Sequence, residues 1–118
     1  MTEKTEWIFA CNADEIEDEE VLRFDHNDKT FAIYNLGGSF YVTDGFCTHE
    51  QQHLADGIVM DGIIECPLHM GQFDIETGEA LSGPVCINLN TYPIKNENGK
   101  LYLGLSCLLY TSPSPRDA

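Results

Sequence analysis

An all-β antiparallel fold is predicted by three features of this sequence. Short runs rich in β-branched and aromatic residues recur along the chain, and turn signals separate them. No segment carries the apolar spacing of three to four residues that is typical of a helix. A chain of 118 residues has the length of one domain with a single modest core. The sequence therefore predicts one domain, without room for a second.

The first part of the chain is predicted to be a meander of short strands. These strands cover residues 7–10, 21–24, 30–34 and 40–42, and Gly37-Gly38 turns the third into the fourth. Two further strands are expected at Ile58–Met60 and Ile63–Glu65, because Asp61-Gly62 between them is a strong hairpin signal.

Two later turns are predicted at Thr77-Gly78 and at residues 96–99. The second of these joins a strand at residues 91–95 to a strand at residues 100–103. The chain shows no internal repeat. The sequence therefore predicts antiparallel strands connected by tight turns.

Two short cysteine and histidine motifs carry the chemistry of this chain. They read C-T-H from Cys47 to His49 and C-P-L-H from Cys66 to His69, with sixteen residues between them. Two sulfur and two nitrogen ligands on paired loops can hold a [2Fe-2S] cluster in which His₂ replaces Cys₂ on one iron. Zinc also binds Cys₂His₂ sets, although its local sites usually pair two cysteines and two histidines separately. Unrelated core cysteines and surface histidines are the third interpretation.

The surrounding motifs favour the iron-sulfur interpretation. In sequence order they are C-T-H, D-G, C-P-x-H-x-G-x-F-D, T-G-x-A, G-P and T-Y-P, between Trp7 and Leu105. With them the chain resembles a Rieske-type 2Fe-2S ferredoxin of a bacterial multicomponent oxygenase system. The resemblance is to ferredoxins of aromatic-ring dioxygenases and of rhizopine-type catabolic clusters.

This resemblance implies a cofactor, its ligands and a more specific fold. The cofactor would be one Rieske-type 2Fe-2S cluster, with the thiolates of Cys47 and Cys66 on the inner iron and the imidazoles of His49 and His69 on the outer iron. The fold would be a β-sandwich base with a small cluster-binding subdomain at about residues 45–74. The hairpin at Asp61-Gly62 would bring the second ligand loop back toward the first.

The same resemblance implies an electron carrier and not an enzyme. Such a protein passes one electron at a time from an NAD(P)H-dependent flavin reductase to a terminal oxygenase. Two other functions stay open. A detached Rieske domain of an oxygenase subunit would belong to a longer chain with a 2-His-1-carboxylate iron site, and a zinc-stabilised β interaction module would contain no iron.

Four positions depart from high-potential Rieske proteins. Gln52 and Leu68 stand where those proteins have a second pair of cysteines, and Gly71 and Phe73 stand where they have hydroxyl donors. A missing donor removes stabilisation from the reduced cluster. The reduction potential is therefore expected in the lower part of the range of roughly −150 to +300 mV.

The charge of the chain restricts its partners. Twenty acidic and six basic residues give a net charge of −14, which argues against nucleic acid and against anionic membranes. Basic protein partners and a monomeric state are expected. The densest acidic run, residues 14–20, is either a solvated face or a docking patch.

The expected compartment is the cytoplasm. The sequence contains no apolar run of about 18 residues and no secretory signal. The cysteines outside the motifs, Cys11, Cys86 and Cys107, lack the spacing of a disulfide framework. Reduced thiols are expected.

Two further features have competing interpretations. His53 is an additional ligand, a proton relay or a structural residue, whereas His26 is expected in a solvated turn. Residues 107–117 can be read as one frame of the transposase adaptor used in sequencing-library preparation. The domain is therefore taken as residues 1–106, and residues 107–118 as a non-native or disordered tail.

Overall fold

The computed structural model describes residues 5–47, 52–67, 71–82 and 88–106. Within these ranges the chain forms antiparallel strands and two short 3₁₀ turns, Ala13–Glu15 and Leu54–Asp56. The strands are β1 (Thr5–Asn12), β2 (Glu20–His26), β3 (Lys29–Leu36), β4 (Ser39–Asp44), β5 (Ile58–Met60), β6 (Ile63–Glu65), β7 (Gln72–Asp74), β8 (Ala80–Ser82), β9 (Thr91–Tyr92), β10 (Ile94–Glu97) and β11 (Lys100–Ser106). The all-β antiparallel prediction is confirmed. Among the described residues, no helix has the length and hydropathy needed to cross a membrane.

The largest meander is the sheet with strand order β2-β3-β4-β9. Its first turn places Asn27 and Asp28 at φ values of 50° and 66°, and two consecutive left-handed residues form the tight hairpin turn that suits strand twist. Strand β3 runs through the middle of this sheet and is buried from Phe31 to Asn35. Its side chains therefore enter the protein core on both faces of the sheet.

Two hydrophobic clusters lie on the two faces of β3. Ala32 and Tyr34 point into one cluster, and Phe31 and Ile33 point into the other. The first cluster also contains Cys47, Leu54, Ile64, Cys66, Phe73, Ile75 and Leu89. The second also contains Cys11, Ile16, Val42, Leu101 and Leu103. The candidate ligand cysteines thus belong to one cluster, on one side of the central strand.

The first strand does not belong to the meander, so that part of the prediction is wrong. Strand β1 pairs with β11 in a separate sheet of order β1-β11-β10, with Trp7 opposite Gly104. The segment after β1 changes direction because the Glu15 carboxylate accepts a hydrogen bond from the Asn12 backbone N–H at 3.0 Å and the Ile16 side chain is buried. This anchored turn carries the chain from one sheet to the other.

The strand predicted at residues 91–95 is divided at Pro93. Strand β9 before the proline pairs with β4, whereas β10 after it pairs with β11. Proline has no N–H to donate to a ladder, and the Pro93 carbonyl accepts a hydrogen bond from the Gly104 N–H at 2.8 Å. The predicted single strand therefore bridges two sheets.

The third sheet is small and has the order β5-β6-β7-β8. Its first turn confirms the predicted hairpin, since Ile58 lies opposite Glu65 and both Asp61 and Gly62 have positive φ values. Strands β7 and β8, which have three residues each, were not predicted. Cross-strand pairs place Val59, Ile64, Phe73 and Ala80 in one row, and this row packs in or against the first cluster.

Candidate metal centre

Two of the four predicted ligands, Cys47 and Cys66, lie in the same hydrophobic cluster. Neither forms a disulfide, and their exposed fractions are 6% and 2%. Buried sulfur in an apolar surrounding is protected from water and from oxidants. The structure therefore brings both candidate sulfur ligands to one protected region.

Each cysteine begins a loop that is closed in the same way. The Cys47 backbone N–H donates to the Gln52 carbonyl at 2.9 Å, and the Cys66 N–H donates to the Gly71 carbonyl at 2.8 Å. The residues just outside these bonds are also paired, because Phe46 forms a bridge with His53 and Glu65 pairs with Gln72 in the small sheet. The two loops therefore have equal lengths and equivalent closing bonds. His49 and His69 belong to these loops and lie outside the described residues.

A close backbone approach holds the two loop regions together. Gly57 ends the 3₁₀ turn that follows the first loop, and a Cβ atom at this position would overlap with the Glu65 carbonyl oxygen. Glu65 is the last residue of β6 and directly precedes Cys66. Only glycine allows this contact without displacement of the backbone.

His53 supports the first loop through a chain of hydrogen bonds. Its Nδ1 accepts from the Ala55 backbone N–H at 3.0 Å, so the ring proton is assigned to Nε2. Nε2–H then donates to the Thr30 hydroxyl at 2.8 Å, and this hydroxyl donates to the Asp25 carboxylate at 2.5 Å. Arg23 Nε donates to the same carboxylate oxygen at 3.1 Å. The chain runs from the first loop across β3 to the exposed edge of β2.

The environment of His53 favours its neutral form. Burial is the main cause that lowers its pKa, and the Arg23 charge lowers it further. The imidazole is 4% exposed and makes an edge-on contact with the Phe46 ring at 5.6 Å between centroids. Because both ring nitrogens are already bonded, the structural role of His53 is favoured over a role as an extra ligand.

Three of the four residues that differ from high-potential Rieske proteins are among the described residues, and their contacts are known. The Gln52 side chain donates to the Asp56 carboxylate at 3.2 Å, so it braces the segment after the first loop. Phe73 lies opposite Ile64 and is completely buried in the first cluster. Gly71 supplies only its backbone carbonyl to the second loop. Leu68 lies outside the described residues.

Some of the other residues singled out in the sequence lie within the described ranges, and some lie outside them. Cys11 lies in the second cluster, where burial and the nearby Glu15 raise its pKa to about 11. In the acidic run, Asp18 accepts a hydrogen bond from the Gly37 N–H at 2.7 Å. Part of that run therefore stabilises a turn. Cys86, Cys107 and the segment from residue 107 onward lie outside the described residues.

The donor set fits an iron-sulfur cluster as far as the structure describes it. Cys47 and Cys66 offer two buried thiols at the start of equivalent loops, as two sulfur ligands of one iron require. The described residues contain no group of three or more histidine, cysteine, aspartate or glutamate side chains arranged to bind a metal. The assignment of His49 and His69 as the other two ligands stays a prediction.

Comparison with known families decides between the interpretations left open by the residues. The family model for the Rieske [2Fe-2S] domain matches residues 6–93. This chain belongs to the Rieske family. A Rieske domain carries one [2Fe-2S] cluster, so the cofactor predicted from the cysteine and histidine motifs is confirmed at the level of the family.

Known Rieske proteins resemble this chain over most of its length. The ferredoxin component of a naphthalene 1,2-dioxygenase system from Pseudomonas aeruginosa is 43% identical over 106 residues, which are 90% of this chain and 100% of the relative. The solved ferredoxin of Sphingomonas yanoikuyae B1 is 36% identical, with a TM-score of 0.80 over 85% of this chain and 99% of that one. A chain from the complex of reduced oxygenase and oxidized ferredoxin in carbazole 1,9a-dioxygenase is 30% identical, with a TM-score of 0.79, and the match covers 82% of this chain and 91% of that one.

The sequence singled out His53, with a structural role among its interpretations, but gave no indication of its partners Thr30 and Asp25. The links from Thr30 to His53 and to Asp25 join residues far apart in sequence or on different strands, and no local pattern indicates such contacts. Gly57 carried a weak signal, because an isolated glycine between short strands often marks a close backbone approach.

Proposed function

We propose that this Rieske protein is a one-electron carrier that delivers electrons to a terminal oxygenase. The observation that carries the proposal is the pair of buried thiols, Cys47 and Cys66, at equivalent positions of two matched loops. The ferredoxin component that is matched over its whole length supports a free-standing carrier over a domain of an oxygenase subunit. The carrier itself changes no bond of a substrate.

The residues of the chain have distinct roles in this function. When bound, the cluster supplies a site that gains and loses one electron. Cys47 and Cys66 would hold it from the core side, and His49 and His69 would hold the outer iron, which we assign as the side that faces redox partners. The first cluster keeps water from the sulfur ligands, and His53 fixes the closing end of the first loop.

Two partners belong to the proposal. A terminal oxygenase is supported by the carbazole 1,9a-dioxygenase complex that contains a similar chain. An NAD(P)H-dependent flavin reductase is proposed as the electron donor, because a one-electron carrier must be reduced in each cycle. The cytoplasm is the proposed compartment, since a cluster held by cysteine needs reduced sulfur ligands and the cytosol keeps thiols reduced.

Analysis of metal and sulfide tests the proposed site. Protein purified without oxygen should contain iron and acid-labile sulfide in equal amounts, at one [2Fe-2S] unit per chain, and its reduced form should give a rhombic electron paramagnetic resonance signal of low average g. His49→Cys and His69→Cys variants should lower the reduction potential, because a thiolate adds negative charge to the site. Stoichiometric zinc without labile sulfide would contradict the proposal.

A further inference from the structure

The outward face of the small sheet is apolar where a strand facing water usually carries polar side chains. Ile58 lies opposite Glu65 and Met60 lies opposite Ile63, so these side chains share one face of β5 and β6. Ile58 is 59% exposed and Met60 is 52% exposed. The alternate residues Val59 and Ile64 face the first cluster. Because side chains alternate along a strand, Ile58 and Met60 must point outward when Val59 and Ile64 face the cluster.

Acidic residues border this apolar surface. We define the β5–β6 face as Ile58, Met60, Asp61, Ile63 and Glu65. Asp61 and Glu65 are acidic members of this face, and Glu19 and Glu20 line one pocket together with Ile58. A partner surface that covers the β5–β6 face must therefore supply the positive charges itself.

The β5–β6 face is continuous with the second ligand loop. Glu65 is the last residue of β6, and the next residue is Cys66, whose N–H begins the closing bond of that loop. Pro67, which follows, is exposed. A protein bound on this face therefore lies beside the predicted site of electron transfer.

The charge of the chain selects among possible occupants. A second copy would bring the same acidic border and a net charge of −14 against this surface, and like charges facing each other oppose association. Stable protein interfaces commonly combine an apolar centre with a polar rim. The occupant that fits is an apolar patch bordered by basic side chains.

We propose that the β5–β6 face is a docking surface for a redox protein whose contact patch is apolar at its centre and bordered by lysine and arginine. The inference rests on the proposed carrier function and adds a surface to it. The apolar centre holds the complex together after the acidic border has attracted the partner. Two aliphatic side chains at this centre therefore control the rate of transfer to such a partner.

The test uses two cationic oxidants, of which only one has a protein surface. Horse-heart ferricytochrome c is a basic protein whose haem edge is surrounded by lysines, and hexaamminecobalt(III) is a small cation without an apolar surface. The chemically reduced protein loses one electron to either oxidant, and Fe(III) of the haem becomes Fe(II) or Co(III) becomes Co(II). Stopped-flow absorbance measures both rates.

The decisive variant is the double substitution Ile58→Ser with Met60→Ser. We expect it to slow oxidation by ferricytochrome c about tenfold, because it removes two apolar contacts, and to leave oxidation by hexaamminecobalt(III) unchanged. The matched control is Phe9→Ser, which removes an exposed apolar side chain from β1, in the sheet without ligand loops. Equal iron content and equal visible spectra confirm that all the proteins carry the same cluster.

Other results would overturn the proposal, and each one shows which part of it is wrong. If the double variant slows ferricytochrome c no more than Phe9→Ser does, or slows both oxidants equally, the docking surface is wrong and the carrier function stands. If the wild type is reduced but neither oxidant accepts its electron, the carrier function fails and the inference fails with it. A dimer of the wild type that is lost in the double variant would assign the face to a second copy and overturn the proposal.

Discussion

At the scale of single residues, the hydroxyl of Thr30 is the middle link of the hydrogen-bond chain that supports the first ligand loop. It accepts a hydrogen bond from His53 and donates one to Asp25. The hydrogen bond from Thr30 is the main cause that lowers the pKa of the Asp25 carboxyl group. One small side chain therefore links the buried support of the first ligand loop to the exposed surface of β2.

Thr30→Val tests this link while it keeps the shape of the side chain. The substitution leaves the buried Nε2–H of His53 without an acceptor, which costs about 1–3 kcal/mol. Arg23→Gln is the matched control, because it removes only the exposed ion pair at the outer end of the chain, which is worth about 0–1 kcal/mol. Urea unfolding measures both losses, and an equal loss in the two variants would show that the inner bond has no special role.

The neutral state of His53 gives the folded protein a dependence on pH. The pKa of His53 is lowered by burial, so the unfolded chain binds a proton at a pH where the folded chain does not. The free energy of unfolding should therefore fall as the pH decreases below about 6.5, the usual pKa of histidine. His53→Gln should reduce this fall. Urea unfolding between about pH 8 and pH 5.5, above the range where carboxylates titrate, compares the two proteins. The same slope in both would contradict the assignment.

At the scale of elements, the approach of Gly57 to β6 fixes the spacing of the two ligand loops. The contact is between backbone atoms, so no side-chain rotation can relieve an added Cβ. The small sheet and the 3₁₀ turn are therefore positioned relative to each other by the absence of a side chain.

Gly57→Ala should prevent normal loading of the cluster. We expect reduced visible absorbance per chain and a lower melting temperature, because the backbone of β6 must shift beside Cys66. Gly62→Asn is the control, since Gly62 has a φ of 77° and no neighbouring atom within contact distance of an added Cβ, and asparagine tolerates this conformation. A Gly57→Ala protein with the spectrum and melting temperature of the wild type would show that the loops adjust freely.

Local signals explain which elements the sequence predicted. The hairpin at Asp61-Gly62 was found because its turn chemistry is local, and the ligand motifs were found because their spacing is short. Strands β7 and β8 are as short as β5 and β6, but no two-residue hairpin turn adjoins them, so no local signal marked them. The pairing of β1 with β11 joins the two ends of the described chain, and local residues contain no information about such a partner. The contacts of His53 were unpredictable for the same reason.

At the scale of the whole molecule, the net charge of −14 has opposite effects on stability and on association. Repulsion among the acidic residues opposes the compact state, whereas the same field attracts basic partners. Few described cations offset it, and Lys95 lies over the Trp7 ring at 4.5 Å as well as near Glu97. Salt should therefore change the two properties in opposite directions.

Added sodium chloride should raise the melting temperature and slow electron transfer to a basic protein. Raising the salt from about 0.01 M to 0.5 M shortens the screening length from about 30 Å to below 8 Å, so both the internal repulsion and the attraction to ferricytochrome c weaken. Differential scanning calorimetry and stopped-flow absorbance measure the two trends. A melting temperature that falls with salt would show that attractive surface pairs outweigh the repulsion.

Strand β3, with side chains in both hydrophobic clusters, also determines how the protein opens. Disruption of either cluster removes packing from the same strand, so the domain has no natural plane along which it can separate into independent halves. Amide protons in β11 should then exchange with deuterium through the same global opening as those in β6, even though β11 carries no ligand. Slower exchange in β6 than in β11 would show instead that the two regions open separately.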